Sequence, residues 1–268
     1  MIRLYTEKDF EKMRQAAEIL CQTHLAIKKV IRAGITTKQL DDFANRFIVD
    51  HKGAIPAQLG YGGFPYTLCI SVNDEICHGF PGDYVLKEGD LVSIDNVIEY
   101  NGGLADSCWS YAIGELSDRD QKLMDVTLES LNKSIDQAVP GNRIGDIGHA
   151  IQEYAEVENN FSVIRDFIGH GIGKEMHEDP QVPHYGKANH GQRIQAGMVF
   201  TIEPMIASGK WPMKLDDNGW VARTQDGSTC AQFEHQLIIH EDGPEIITDQ
   251  SKYALTEDDI EFIENYKF

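Results

Sequence analysis

Glu88-Gly89-Asp90-Leu91-Val92-Ser93-Ile94-Asp95 and Ala196-Gly197-Met198-Val199-Phe200-Thr201-Ile202-Glu203 are the same element written twice. Each is a glycine turn, then an apolar run of strand character, then a carboxylate. Gly89 and Gly197 stand 108 positions apart, and so do Asp95 and Glu203. A carboxylate ending a buried strand is costly unless a positive partner meets it. Neither acid has a Lys or Arg beside it, which makes a metal cation the natural partner.

The segments around these strands repeat as well. Thr6 with Asp9 predicts a capping box that opens a helix burying Phe10, Met13, Ala17, Leu20 and Ile27, and Ala33-Gly34 ends it. Thr36 with Gln39 opens a second helix through Leu40, Phe43 and Phe47, closed near Gly53. In the second half Ser117 with Asp120 opens a helix through Leu123, Val126 and Ile135, stopped by Pro140-Gly141. Another runs from about Ile144 through Ile147, Ile151 and Tyr154. Gly34 and Gly141 are 107 positions apart, close to the strand offset. The reading is a duplicated α+β chain, one domain over residues 1–268 with halves of about 1–110 and 111–268.

Each half carries a second acid downstream of the first, Asp106 and Glu234. Taken alone, Asp106 reads as a turn acid after Gly102-Gly103, and Glu234 as the wet face of a strand. His170 lies between Gly169 and Gly171 with little side-chain packing beside it. The glycines there suggest a phosphate loop, but Walker spacing is missing and Pro180 and Pro183 follow. Together Asp95, Asp106, His170, Glu203 and Glu234 form a hard, oxygen-rich set whose four negative charges match two divalent ions. That set points to a dinuclear hydrolase.

Composition narrows the alternatives. A formal charge of -19 argues against nucleic acid as the main partner, because phosphate binding needs a basic surface. The small basic cluster Lys28-Lys29-Arg32 is the one candidate contact of that kind, and it reads equally as a solvated helix face. Five cysteines without a C-x-x-C pair indicate neither a disulfide framework nor a zinc ribbon. No stretch has membrane-spanning length or the apolar core of a signal peptide, so the expectation is a cytoplasmic enzyme without a membrane partner.

Phe167-Ile168-Gly169-His170-Gly171-Ile172-Gly173-Lys174-Glu175-Met176-His177, running on to His184-Tyr185, resembles the signature of type I methionine aminopeptidases. Ser71-Val72-Asn73-Asp74-Glu75-Ile76-Cys77-His78-Gly79, Thr201-Ile202-Glu203-Pro204-Met205 and Ala231-Gln232-Phe233-Glu234-His235 match the other blocks of that family in order and spacing. The resemblance spans nearly the whole chain and is to the short bacterial form. It implies the pita-bread fold, two pseudo-symmetric halves around a dinuclear site, and a metal-dependent exopeptidase that removes the initiator methionine when the second residue is small.

By that resemblance Asp95 is the terminal ligand of one metal, Asp106 and Glu234 bridge both, and His170 and Glu203 complete the other. The implied ions are cobalt, manganese, iron or zinc, and a water or hydroxide between them attacks the scissile carbonyl. Glu203 doubles as proton shuttle, His177 contacts the scissile carbonyl oxygen and His78 the scissile amide nitrogen. Tyr61, Phe64, Cys69, Trp220 and Met176 fall on the methionine pocket, where aromatic walls and a soft sulfur suit a polarizable thioether. Gln58, Asn96, Ser107 and Met176 depart from common family choices and bear on pocket shape and metal affinity. The implied partners are the N-termini of nascent polypeptides and, transiently, the ribosome, with the enzyme a monomer. Two rivals differ in class. A proline-specific peptidase of the same fold predicts cleavage of X-Pro peptides, and a non-catalytic binding relative predicts loss of metal ligands.

Overall fold

Two ten-residue strands, Leu91–Tyr100 and Gly103–Ala112, organise the first half of the computed structural model, which describes residues 2–268. They pair antiparallel over their full length, from Leu91 opposite Ala112 to Tyr100 opposite Gly103. The two residues between them, Asn101 and Gly102, have φ of 52° and 74°. Positive φ at both positions is the type I′ arrangement that Asn-Gly adopts readily, and its twist matches that of the strands. On its other edge Leu91–Tyr100 takes Cys69–Val72 and the short Ile55–Pro56. Asp95 therefore lies inside a strand and not at its end. Val97 and Ile98 are buried and carry the strand onward past the acid. Glu203 does stand at a terminus, immediately after Val199–Ile202.

Three helices begin at the caps read from the sequence, α1 Glu7–Val30, α2 Thr37–Asp50 and α3 Asp118–Ile135, and a fourth, α4 Ile144–Gln152, begins at the Ile144 read as its start. At α1 the Thr6 amide donates to the Asp9 carboxylate at 3.0 Å, satisfying a free helix-end donor. The apolar stripe of α1 packs across the long hairpin. At Gly103 a Cβ would lie 2.3 Å from the Lys12 carbonyl oxygen, so helix backbone and strand backbone touch there and only glycine fits. The α4 helix is shorter than its sequence pattern, because Glu153–Glu158 continues as a π-helical turn and takes Tyr154 with it. A fifth helix, α5 Glu257–Asn265, was not anticipated. Its stretch is acidic and short of apolar residues, yet Phe262 and the following Tyr266 meet Phe47 and Phe43 edge-on.

The second half builds a five-stranded sheet in the order Gly243–Ile246, His235–His240, Val199–Ile202, Gly169–Gly171, Glu178–Val182. Beside it Met205–Ala207 pairs with Cys230–Gln232. Ile202 opposes His235 and Met205 opposes Gln232. One register runs through both pairs, which sets Glu203 opposite Glu234 in the gap between them. The halves join at this point: the Glu234 amide donates to the Cys108 carbonyl at 2.9 Å. The Ser110 hydroxyl donates to the Gln232 carbonyl at 2.7 Å and accepts from the Gln232 amide at 3.1 Å.

Candidate metal centre and active-site cavity

The same registers aim the acids. Asp95 opposes Cys108 and Asp106 opposes Val97. Side chains alternate along a strand, so Asp95 and Asp106 occupy one face of the hairpin as diagonal neighbours. Glu203 and Glu234 face them from the second half. The two acid pairs are thus not equivalent, one diagonal and one directly opposed. His170 comes from the middle of a strand squeezed between two others. A Cβ on Gly169 would lie 2.5 Å from the Thr201 carbonyl oxygen, and one on Gly171 2.1 Å from that of Asp179. The glycines beside His170 serve close strand packing, which removes the reason to read them as a phosphate loop.

Asp95, Asp106, His170, Glu203 and Glu234 line one cavity of about 700 Å³. So do His78, His177, Tyr61, Phe64, Cys69, Met176 and Trp220, so the chain brings together every site residue inferred from the sequence. Ligand atoms of Asp106, His170 and Glu234 lie within 4.8 Å of one another. His170 Nε2 is 3.6 Å from both Asp106 Oδ2 and Glu203 Oε1. That is too long for a hydrogen bond. It suits two donor atoms that share one cation, each about 2.1 Å from it. The tautomer agrees, since His170 Nδ1–H donates to the Gly171 carbonyl at 3.0 Å and leaves the Nε2 lone pair facing the carboxylates.

Electrostatics make the same demand. Asp106 and Glu234 are 4% and 2% exposed, so neither reading of them as surface acids survives. Burial pushes the Asp95 carboxyl up to about 7, against the opposing donation from Gln58. Burial, then repulsion from Asp95 and Glu203, drives Asp106 well above the ordinary carboxylate range. Glu203 and Glu234 rise for the same reasons, burial first. Asp106 Oδ1 is buried with no protein partner. Among the described residues no Lys or Arg lines the cavity. An isolated buried carboxylate costs several kcal/mol, and four together are tenable in ionised form only with cations among them. The donor set therefore fits divalent metal.

Sequence reasoning gave no role to Thr201, Gln232 or His184 and marked Gln58 only as a departure from common family choices, yet these groups hold the ligands. Thr201, two residues before Glu203, donates its hydroxyl to Glu203 Oε1 at 3.0 Å and accepts from the His170 amide at 3.0 Å. Gln232 approaches the other Glu203 oxygen at 3.4 Å, and Gln58 Nε2 donates to Asp95 Oδ1 at 3.1 Å. The neutral His184 accepts the Glu203 amide at Nε2, at 3.2 Å. The signal for Thr201 and Gln232 was strand parity, each lying two positions from a ligand and so on its face. Glu178, on the cavity wall, accepts from Arg3 and from the Tyr5 hydroxyl at 2.8 Å each. Tyr5 in turn bonds Gly197 through its amide at 2.7 Å. The N-terminal segment is thereby stitched to the loop carrying Met176 and His177.

His78 holds φ of 56°, a left-handed conformation that costs a non-glycine residue about 1–2 kcal/mol. Phe167 and Trp220 meet its ring edge-on at 5.4 and 6.2 Å. Burial holds His78 and His177 below the ordinary imidazole pKa. Phe64 is 3% exposed and meets Trp220 at 5.3 Å. Tyr61 differs from the other pocket residues in being 43% exposed.

The sequence model of Metallopeptidase family M24 matches residues 11–241. The chain belongs to metallopeptidase family M24. This M24 chain is similar to methionine aminopeptidase 1 of Bacillus subtilis, 48% identical over 248 residues that cover 92% of this chain and 99% of that one. The solved structure of methionine aminopeptidase from Rickettsia prowazekii superposes with a TM-score of 0.90 at 42% identity, covering 92% of this chain and 100% of the other. Prolidase from Pyrococcus furiosus follows with 0.73 at 21% identity, over 92% of the M24 chain and 65% of the prolidase, a likeness of fold alone. The fold is the pita-bread arrangement of the M24 peptidases, and M24 membership carries divalent-metal binding with it.

Proposed function

We infer that this chain is a methionine aminopeptidase: a dinuclear, metal-dependent exopeptidase that removes the N-terminal methionine of new polypeptides when the next residue is small. The observation that carries the reading is the convergence of Asp106, Glu203 and Glu234 on the His170 Nε2 lone pair, with Asp95 lining the same cavity, which has no Lys or Arg among its described lining residues. Asp95 would hold one ion, His170 and Glu203 the other, with Asp106 and Glu234 shared between them. When bound, the divalent ions neutralise the acids and supply Lewis acidity together with a water acidified toward neutral pH.

The rest falls to side chains. Glu203, with one oxygen held by Thr201 and the other near Gln232, is placed to take a proton from water and return it to the leaving amine. His177 would donate to the scissile carbonyl oxygen as charge develops there, and His78 would meet the scissile amide. Phe64, Trp220, Cys69, Met176 and the Tyr61 ring would enclose the methionine thioether. The chain works as one catalytic domain of two halves, since the ligands come from both. Among the described residues no helix is long and apolar enough to cross a membrane. The reading places a monomer in the cytoplasm with a transient ribosome contact.

The test is hydrolysis of Met-Ala-Ser and Ala-Pro-Ser by chelated protein before and after adding two equivalents of manganese or cobalt. The expected result is metal-dependent release of methionine from the first peptide alone. Cleavage of Ala-Pro-Ser would move the assignment to a proline peptidase. No turnover of either, with both ions bound, would leave a binding protein.

A further inference from the structure

The cavity holds two imidazoles whose ring centroids lie 4.3 Å apart, and their Nδ1 atoms have partners of opposite character. His170 Nδ1 meets a carbonyl, which can only accept, so its proton is on Nδ1 and Nε2 is a lone pair. His177 Nδ1 meets the Tyr61 hydroxyl at 2.9 Å. We propose that Tyr61 is a positioning residue: its hydroxyl donates to His177 Nδ1 and so fixes the tautomer that presents Nε2–H to the substrate carbonyl.

Relative acidity gives the direction of this bond. A phenol is a far stronger proton donor than a neutral imidazole N–H, so O–H···N is the favoured sense. The two rings are then specialised by their Nδ1 partners, His170 to hold a cation and His177 to donate to a carbonyl oxygen.

Local structure shows that the contact is built. Tyr61 sits in Gly60-Tyr61-Gly62-Gly63, where the three glycines have φ of 88°, 56° and 91°. That backbone is open to glycine and strained for other residues. A Cβ on Gly62 would come within 3.4 Å of the Trp220 ring, so the loop also lies tight against the pocket wall. The result is a phenol at the cavity mouth, 43% exposed, with its ring 5.4 Å from that of His177. A residue that only walled an apolar pocket would be packed as Phe64 is. Among the described residues His177 is the only hydrogen-bond partner of the phenol.

The proposal rests on the aminopeptidase reading for the role of His177, and its test separates the two. Tyr61→Phe keeps the ring and removes only the hydroxyl. In the zinc-loaded protein, nitrogen-15 NMR of histidine, with His177→Gln to assign the signal, should show Nδ1 unprotonated and Nε2 protonated in the parent chain. In Tyr61→Phe the two nitrogens should move toward averaged shifts. On Met-Ala-Ser the same variant should lose kcat by about tenfold or more with KM within about twofold, the range for a partner that orients an active group. Tyr61→Ala should raise KM in addition. A proton on His177 Nδ1 in the parent chain would overturn the proposal, as would a Tyr61→Phe variant with unchanged tautomer and unchanged kcat. An inactive parent chain would count against the peptidase reading, and the NMR result would still decide the hydrogen bond.

Discussion

At Thr201 one hydroxyl does two jobs, donating to Glu203 and accepting from the backbone of His170. Thr201→Val preserves shape and β-branching but frees both ligands. Partners of this kind alter metal affinity by about 10- to 100-fold when removed, and titration with manganese in competition with a chelator should show weakening in that range. Asn96 makes the opposite case. It is fully buried, in register with Ser107, and neither of its amide atoms nor the Ser107 hydroxyl has a protein partner. Because an unsatisfied buried polar group costs about 1–3 kcal/mol, Asn96→Val should raise unfolding stability in urea by about 1 kcal/mol or more. A drop instead would mean that the amide is satisfied by something other than protein.

Between α1 and the long hairpin lies His24, fully buried, bonded through its ring nitrogens to the Tyr111 hydroxyl at 3.0 Å and the Ser107 carbonyl at 3.2 Å. Burial lowers its pKa to about 4, against the Ser107 bond. In the unfolded chain the ring protonates near 6.5, so between those values the unfolded state binds more protons and stability is lost as pH falls. For this ring the loss is about 2 kcal/mol between pH 7 and pH 5. The stability difference between the parent chain and His24→Asn should shrink by that amount over the same interval, measured by urea unfolding at both pH values. This interface also marks what the sequence could say. The capping pairs Thr6–Asp9 and Thr36–Gln39 and the apolar stripes behind them fixed α1 and α2 from local chemistry. Asp95 was legible as an acid after an apolar run and Asp106 only as a second acid downstream of it, and their common face depends on hairpin register. The two-residue turn Asn101-Gly102 carried that information and was passed over. Strand parity pointed to Thr201, but the contacts of Gln58 with Asp95 and of Tyr61 with His177 depend on tertiary geometry that no spacing encodes. The α5 helix is held by rings of α2 lying far from it in sequence.

For the whole molecule the largest effect is the coupling of metal to folding. Four acids from both halves meet at one centre, so ions that bind only the folded chain stabilise it as a unit. At a thousandfold excess over Kd the stabilisation is about 4 kcal/mol, equivalent to about 10 °C in a chain of this size. Chelation should lower Tm by roughly that amount in calorimetry, and an unchanged Tm would deny the shared acidic centre. The N-terminal stitch has a practical side. Arg3 and Tyr5 reach Glu178, whose carboxylate also accepts the Lys174 and Glu175 amides just ahead of His177. Phe268, at the other end, packs against Phe43 and Tyr266 and lines no part of the cavity. A purification tag is therefore not a neutral addition here. Fused at the front it pulls on the loop that carries His177, whereas fused at the back it hangs from the α5 side, and parallel preparations should differ in specific activity in favour of the rear tag.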